Sequence, residues 1–379
     1  MACLNCMHVR ILRIGLPSCP CLLWPWGQIT GKAPRMSSIA QLLEITDSVA
    51  AVTDQKIDRI HGITRRSRML ALNASIEAQR VGQMGRGFAV VADEVKAVSG
   101  EIAQLTDSLR GELKGQLETL SEFGRHLAAE VDRVRGERLA DLAHNAVEIA
   151  DRNLYERSCD VRWWATDPAL VECAAAPDQP DLAHHAAKRL GIILDSYTVY
   201  LDLWIADASG RVIANGRSGR YAKVVGTDVS GQQWFKDAMA TAHGGEFAVA
   251  DISRIPCLGG AIAATYATAI RAGGEADGQP IGAMGIFFDW EAQGQAIVDG
   301  VRLGAEEKSR SRCLLLDRDH RIIADSDRHG LLSEHFPLDT KGQTQGYYQD
   351  GDSLVGFALT PGYETYEGLG WYGVIIQGA

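Results

Sequence analysis

The chain has 379 residues, a formal net charge of −10 and 46% hydrophobic residues. This length accommodates more than one domain, and the acidic balance, without a basic, aromatic-interleaved sheet, argues against a nucleic-acid-binding protein. No segment reaches the ~18 uninterrupted apolar residues of a membrane-spanning helix. We therefore expect a cytoplasmic protein with no membrane span.

Residues 1–35 differ in composition from the rest of the chain. They contain Cys3, Cys6, Cys19 and Cys21, and the Cys-x2-Cys and Cys-x-Cys spacing leaves zinc ligation open. The 12-residue gap between the pairs has no acidic residue to support such ligands. Since the helical pattern begins only at Met36, we predict a leader that is disordered or not translated. We expect neither a metal nor a cofactor.

After Met36, apolar residues recur at alternating steps of three and four on both sides of a glycine-containing segment. They include Ile39, Leu42, Val49, Ile60, Ile63 and Leu70 before the glycines, and Val98, Ile102, Leu105, Leu109, Leu120, Phe123, Leu127, Val131 and Val134 after them. About six heptads per arm favour a coiled coil over an ordinary hairpin packed on a globular domain. An arm of ~45 residues would be ~70 Å long. Its partner arm alone cannot cover it, so we predict a homodimer.

Three glycines within six residues interrupt this pattern, at Gly82, Gly85 and Gly87. They predict a tight connection between two helices, an αα-hairpin with its tip near residues 78–87. Five arginines and a single acid, Glu77, lie between Arg65 and Arg86. This end of the hairpin therefore has the opposite charge to the whole chain and suits an acidic partner surface.

The segment LALNASIEAQRVGQMGRGFAVVADEV (70–95) resembles the signalling tip of bacterial methyl-accepting chemotaxis proteins, and the helical periodicity extends the likeness to about 37–128. The resemblance implies that residues 36–134 form a signalling hairpin with no catalytic residues. It also implies contact with a coupling protein and a histidine autokinase. The implied partner-binding positions are Met69, Asn73, Glu77, Arg80, Gln83, Arg86, Phe88 and Val90.

Three residues depart from the family pattern. Arg65 stands where the family usually has an aromatic or apolar residue that helps dimers form trimers, Arg68 replaces a small polar residue, and Gln83 replaces an acid. These departures leave open whether the dimer forms larger assemblies. Arg65 and Gln83 also support an alternative function, a non-signalling ligand-binding or decoy protein that inserts in chemoreceptor arrays.

The helical pattern continues to about Trp164, after which the periodicity becomes that of strands. TVYLDLWIADASGRVIANG (198–216) predicts two strands around a turn, and RCLLLDRDHRIIADSD (312–327) repeats the design. We predict two antiparallel-sheet lobes, at about 195–295 and 310–378. The predicted fold class is α+β: a long antiparallel helical-hairpin coiled coil, a long helix and two sheet lobes.

Four segments carry a second resemblance: DASGRVIANG (207–216), its echo DRDHRIIADSD (317–327), GQQWFKDAM (231–239) and IGAMGIFFDWEAQGQAIVDG (281–300). With them the region 137–379 resembles a double Cache domain, the paired PAS-like sensor module of many receptors. The resemblance implies a small-molecule site in the first lobe, at Gln232, Trp234, Phe235, Asp251 and Tyr266. Amino-acid-binding members carry an arginine at the position of Gln232, and an amide cannot provide the same charged, bidentate contact with a carboxylate. We therefore do not expect an α-amino acid bound in the usual way. A purely structural role in the lobe is the alternative for Trp234 and Tyr266.

These features predict a chemoreceptor-like transducer that binds a small molecule and modulates a histidine kinase. An enzyme is the weaker interpretation. The tip glycines form no phosphate-binding loop because no strand precedes them. His184 and His185 are adjacent on a predicted helix and point to different faces, which makes a poor metal pair.

Overall fold

A computed structural model describes residues 38–378 of the chain. The leader predicted at 1–35, with its open zinc assignment, lies outside the described residues. The chain divides into two units, one ending at His126 and the other beginning at Leu127.

The first unit is an antiparallel helical hairpin. Helix α1 spans Ser38–Arg80, a 3-10 turn spans Gly82–Gly85, and helix α2 spans Arg86–Trp164 and continues into the second unit. Ser75 Oγ donates a hydrogen bond to Asp93 Oδ1 across the two arms at 3.1 Å. Farther from the turn, His61 Nε2 lies 3.1 Å from Asp107 Oδ1. These polar contacts join facing residues of the two arms.

Mostly short side chains are buried between the arms, at every seventh position. The buried residues of this series are Ile57, Thr64, Ala71, Ala78, Gly85, Ala92, Ser99 and Thr106, and Thr46 and Gly124 are buried farther from the turn. The hydroxyls of Thr64, Ser99 and Thr106 each donate to the carbonyl four residues earlier, at 2.7 to 2.9 Å. The side chains of this stripe are therefore mostly short, and its buried hydroxyl groups are hydrogen-bonded.

The larger apolar residues that the sequence analysis placed on the coiled-coil seam lie mainly on the outside of the hairpin. Leu70 and Leu105, one on each arm, are both 70% exposed. Helical spacing brings such residues to one stripe but does not say which stripe faces the other arm. A single chain thus leaves a long apolar surface uncovered on each arm.

Two glycines shape the turn for different reasons. Gly82 has a φ of +67°, the left-handed conformation that commonly follows the end of a helix. Gly85 lies so close to α1 that an added Cβ would be 2.2 Å from the carbonyl oxygen of Ala78. The first glycine is required by backbone conformation and the second by space.

The second unit contains two shorter helices ahead of its sheets and further helices between the strands. They are α3 (Pro168–Ala175), α4 (Pro180–Ser196), α5 (Gln233–Met239), α6 (Trp290–Asp299) and α7 (Ala305–Lys308). Helix α3 begins where Asp167 Oδ1 accepts a hydrogen bond from the Ala169 N–H at 2.9 Å, with proline at its first position.

Ten strands form two five-stranded antiparallel sheets in the described residues. The first sheet contains β1 (Tyr200–Asp207), β2 (Val212–Asn215), β3 (Ala248–Ile255), β4 (Ala261–Arg271) and β5 (Pro280–Asp289). The second contains β6 (Ser311–Leu316), β7 (Ile322–Asp325), β8 (Gln345–Asp350), β9 (Ser353–Leu359) and β10 (Tyr372–Gly378). The orders β2-β1-β5-β4-β3 and β7-β6-β10-β9-β8 are the same topology used twice. The predicted α+β class, with a helical hairpin, a long helix and two antiparallel sheets, is confirmed.

The first hairpin of each sheet turns in the same way. Asp207 Oδ1 accepts hydrogen bonds from the N–H groups of Ser209 and Arg211, at 2.9 and 3.1 Å. Asp317 Oδ1 accepts from Asp319 and Arg321 in the same positions, both at 2.9 Å. The two similar sequence segments therefore form turns with the same hydrogen bonds.

The first sheet is covered on both faces because its side chains alternate. Leu203, Ile286 and Phe288 belong to a large core shared with the helices and with the second sheet. Trp204 and Phe287 belong to a separate core with α5 on the opposite face. We call this opposite face the α5 face.

We expect Gly85→Ala to disrupt the turn, because its Cβ would overlap the Ala78 carbonyl. Overpacking of this kind costs about 1–3 kcal/mol, so amide hydrogen exchange around residues 78–92 should accelerate roughly tenfold or more. Gly87→Ala is the matched control, since an added Cβ there meets nothing within 4 Å. Equal effects of the two substitutions would contradict this explanation of the turn.

Candidate functional site

The tip of the hairpin presents a mixed charged and apolar surface. All eight predicted partner-binding residues, Met69, Asn73, Glu77, Arg80, Gln83, Arg86, Phe88 and Val90, are exposed. Phe88 is 76% exposed, so it is not part of the hairpin core in this chain. Met84, which the sequence analysis did not select, is the most exposed apolar residue of the turn at 89%.

The charges at the tip are accessible. Glu77 and Arg80 form an exposed pair one helical turn apart, at 3.8 Å. Arg86 is the first residue of α2 and lies between two glycines. Arg65 and Arg68, the two departures on α1, are exposed as well. These arginines are exposed on the part of α1 that leads into the turn and at the start of α2.

A cavity of about 200 Å³ opens on the α5 face of the first sheet. It is lined by Trp204, Thr227, Asp228, Val229, Gln232, Gln233, Trp234, Ala250, Ser253, Arg254, Ile255, Pro256, Cys257, Thr265 and Phe287. The volume is several times the ~30 Å³ share of a water molecule in the liquid. An aromatic floor with hydroxyl, amide and charged groups at its edge suits a small polar ligand.

Ring contacts and a buried carboxylate hold the aromatic floor of the cavity in place. Phe287 lies between the two tryptophans, 4.0 Å from the ring centre of Trp204 and 6.1 Å from that of Trp234. The fully buried Asp202 carboxylate accepts hydrogen bonds from Trp204 Nε1 at 3.0 Å and from Asn215 Nδ2 at 2.7 Å. Burial raises the pKa of Asp202 above its ordinary value. Trp204 was missed because a strand tryptophan gives no sign of which face it occupies.

The structure brings two of the five predicted ligand residues to this cavity. Gln232 and Trp234 line it, and Phe235 packs edge-on against Trp234 without lining it. Tyr266 is fully buried on the other face of the sheet, where its hydroxyl lies 3.0 Å from that of Tyr366. Asp251 is also absent from the cavity lining, and its carboxylate lies 3.9 Å from Arg321 Nη2.

A larger cavity of about 460 Å³ lies beside α6 and β7. Its walls include Asp289, Glu291, Asp325 and Arg328. The buried Asp325 carboxylate is already engaged, at 2.8 Å from Arg312 Nη2 and by backbone N–H donors, and these contacts lower its pKa. Its buried charge is therefore already matched.

The part of α2 that packs on the sheets carries buried charged groups. Asp151 Oδ2 accepts a hydrogen bond from the Gly362 N–H at 2.8 Å, and burial raises its pKa to about 6. Arg157 lies 3.2 Å from Asp160 and stacks 5.0 Å from the ring centre of Tyr200, whose hydroxyl donates to Asp160. Polar contacts thus attach α2 to both sheet lobes.

The hairpin and its tip fall within a known family. Residues 31–151 match the methyl-accepting chemotaxis protein (MCP) signalling domain. The chain carries an MCP signalling domain. The match includes all eight tip residues and extends past the boundary between the two units. Among residues 38–378, no helix has an apolar stretch long enough to cross a lipid bilayer.

Named relatives align with this domain over part of their length. Toxin coregulated pilus biosynthesis protein I of Vibrio cholerae is 47% identical over 73 residues, 19% of this chain and 11% of that protein. Methyl-accepting chemotaxis protein McpA of Pseudomonas putida is 33% identical over 134 residues, 33% of this chain and 21% of that protein. The chain therefore spans only about a tenth to a fifth of the length of these relatives.

The likeness of the chain to solved sensor domains is weaker. The sensory domain of the Campylobacter jejuni chemoreceptor Tlp3 gives a TM-score of 0.48 at 15% identity, covering 64% of this chain and 93% of that domain. Because this TM-score is low, the comparison does not establish the fold of the second unit. The order of its own strands does.

We expect Asp151→Asn to stabilise the protein at neutral pH but much less at low pH. The raised pKa means that the folded protein binds a proton more tightly than the unfolded chain. Stability is therefore lost as the pH rises from about 4 to about 6. Asparagine keeps the acceptor for Gly362 and cannot ionise, so the variant should gain at most ~3 kcal/mol above pH 6.

Thermal unfolding at pH 5 and pH 7.5 measures this difference. Asp141→Asn, on the exposed face of the same helix, controls for the loss of one carboxylate. A midpoint difference between Asp151→Asn and wild type that does not grow with pH would refute the assignment.

Proposed function

We propose that this chain is a chemoreceptor-like signal transducer, without enzymatic activity of its own. It binds a small molecule in the first sheet lobe and modulates a histidine autokinase and its coupling protein through the hairpin tip. The observation that carries the proposal is the exposure of all eight tip residues on an MCP signalling domain.

The chemistry of the tip supports a protein partner. Interface hot spots combine arginine and large apolar residues at the centre of a patch. Arg86 and Phe88 supply this combination at the start of α2, with Met84 beside them on the turn. The surplus of arginines on this surface suits an acidic surface on the partner.

The exposed apolar stripe of the hairpin supports a homodimer. Contiguous exposed apolar surface on a protein usually marks an interaction site. The stripe follows heptad spacing along both arms, so the helices of a second copy can pack on it as in a coiled coil. In this proposal the short residues hold the arms of one chain together, and the large residues hold the two chains together.

The cavity on the α5 face supports ligand binding by residues 137–378, which we propose to be a double Cache sensor. Asp228 and Arg254 place one charge of each sign at its edge. Gln232 offers an amide where amino-acid-binding members of the family have an arginine. The proposed ligand is therefore a small polar molecule held mainly by stacking and neutral hydrogen bonds.

The attachment of α2 to both lobes supports a route for the signal. The contacts of Arg157 and Asp160 belong to the first lobe, and that of Asp151 belongs to the second. A ligand that changes how the first lobe packs would therefore act on α2 directly. A small shift of a helix is a known means of switching.

We expect Arg86→Ala to weaken the action of the chain on the kinase. Loss of a charge-assisted contact costs about 1.5–3 kcal/mol, so roughly tenfold to a hundredfold more of the variant should be needed for the same change in autophosphorylation. The assay contains the histidine autokinase and its coupling protein. Arg59→Ala, at an exposed arginine of α1 far from the turn, is the control.

If the wild-type chain leaves kinase activity unchanged or lowered whether or not a ligand is present, the decoy interpretation replaces this proposal. Arg65 and Gln83, both exposed, are the residues that favour that outcome.

We expect a thermal-shift screen of small metabolites to give a ligand that raises the unfolding midpoint by mass action. Trp234→Phe should weaken its binding roughly fivefold or more, because the aromatic wall loses contact area. Trp163→Phe is the matched control, since Trp163 is exposed and does not line this cavity. A ligand whose binding both variants leave unchanged would place the site elsewhere.

A further inference from the structure

A second, smaller cavity in the first lobe contains two arginines. Its volume is about 80 Å³, and it is lined by Arg162, Ala165, Thr166, Gly244, Thr268, Ala269, Arg271, Gly274, Glu275 and Ala276. It shares no residue with the cavity on the α5 face. The cavity lies where the end of α2 meets the end of β4 and the loop before β3.

Arg271 is a buried cation that has only neutral partners in the described residues. It is 5% exposed. Nη1 donates to the Gly278 carbonyl at 2.9 Å, and Nη2 donates to the carbonyl and to the hydroxyl of Thr241. Nε is buried and has no hydrogen-bond acceptor. A buried charge is costly unless it is both paired and hydrogen-bonded, and here the pairing is missing.

Arg162 brings a second positive charge to the same cavity. Its side chain is half-buried, with the guanidinium 5.4 Å from the ring centre of Phe247. Nε donates to the Ser158 carbonyl at 2.8 Å and Nη1 to the Gly245 carbonyl at 3.2 Å. These neutral contacts fix the guanidinium without neutralising its charge.

Glu275 is the carboxylate that lines the cavity. It is exposed, and it forms no ion pair within 4.0 Å with either arginine in the described structure. The residue follows the left-handed Gly273 and Gly274, on the connection between β4 and β5. Its charge therefore does not balance the two guanidinium groups.

We propose that this cavity is a binding site for a small oxyanion, a carboxylate or phosphate group, held between Arg271 and Arg162. Guanidinium groups bind both kinds of oxyanion through charge-assisted hydrogen bonds. The volume admits such a group but not a bulky molecule around it. The anion supplies the missing charge beside Arg271 and joins the end of α2 to the first lobe, so it stabilises their contact.

The test uses the full chain and two probes, inorganic phosphate and acetate, at constant ionic strength set with sodium chloride. The unfolding midpoint of the wild type should rise in a saturable way with at least one probe. Phosphate alone indicates a phosphate site, and a response to both probes indicates a site for any small oxyanion. No saturable rise with either probe overturns the proposal.

Substitutions test whether the anion binds at this cavity. Arg271→Gln and Arg162→Gln should each weaken the response about tenfold or more, and the half-buried Arg162 keeps the test valid if Arg271→Gln does not fold. Arg302→Gln, at an exposed arginine outside the cavity, is the control. Loss of the response in Arg254→Gln instead, with both cavity variants unaffected, would move the anion to the α5 face and overturn the proposal.

Glu275→Gln distinguishes the proposal from an alternative in which the carboxylate of Glu275 itself neutralises the two arginines. If the proposal is correct, the substitution removes a negative charge that repels the anion, so anion binding is retained or tightened. If the wild type binds no anion and Glu275→Gln does, then Glu275 is the counterion and the proposal is wrong.

Discussion

The close approach of the two hairpin arms depends on the short side chains between them. The requirement is strictest at the turn, where a Cβ on Gly85 would lie 2.2 Å from the carbonyl oxygen of Ala78. Because alanine, serine, threonine and glycine occupy most of the interior stripe, the large apolar residues must lie outside. One chain therefore buries little apolar surface in this hairpin, and its stability depends on what covers the outer stripe.

The second unit uses one sheet topology twice, with different polar chemistry at equivalent positions. In the first sheet Asp202 and Asn215 join β1 and β2 at 2.7 Å, and the pair holds Trp204 under the cavity. In the second sheet Arg312 and Asp325 join β6 and β7 at 2.8 Å. The first pair supports an aromatic cavity floor, whereas the second balances a buried carboxylate.

The elements could be predicted from the sequence because their signals are local. The glycine turn, the helical spacing and the repeated aspartate turns each depend on a few neighbouring residues. The orientation of the arms could not, because apolar residues at helical spacing suit an interior and an exterior stripe equally. The interior stripe has its own seven-residue spacing, but its small side chains give a weak hydrophobic signal.

The same limit applies to the proposed ligand site. Gln232 and Trp234 were predicted because a resemblance covered their segment, and both line the cavity. On β4, however, Thr265 faces the cavity and its neighbour Tyr266 faces the opposite core. A one-residue change of register exchanges the two faces of a strand, so sequence alone does not decide between neighbours.

Hydrogen exchange of the full chain, with and without the coupling protein, tests most directly whether the hairpin tip is the working surface. We predict that added protection on binding is concentrated in residues 69–90 and is lost with Arg86→Ala. Protection confined to the sheet lobes, or no binding of the coupling protein at all, would contradict a transducer that acts through its tip.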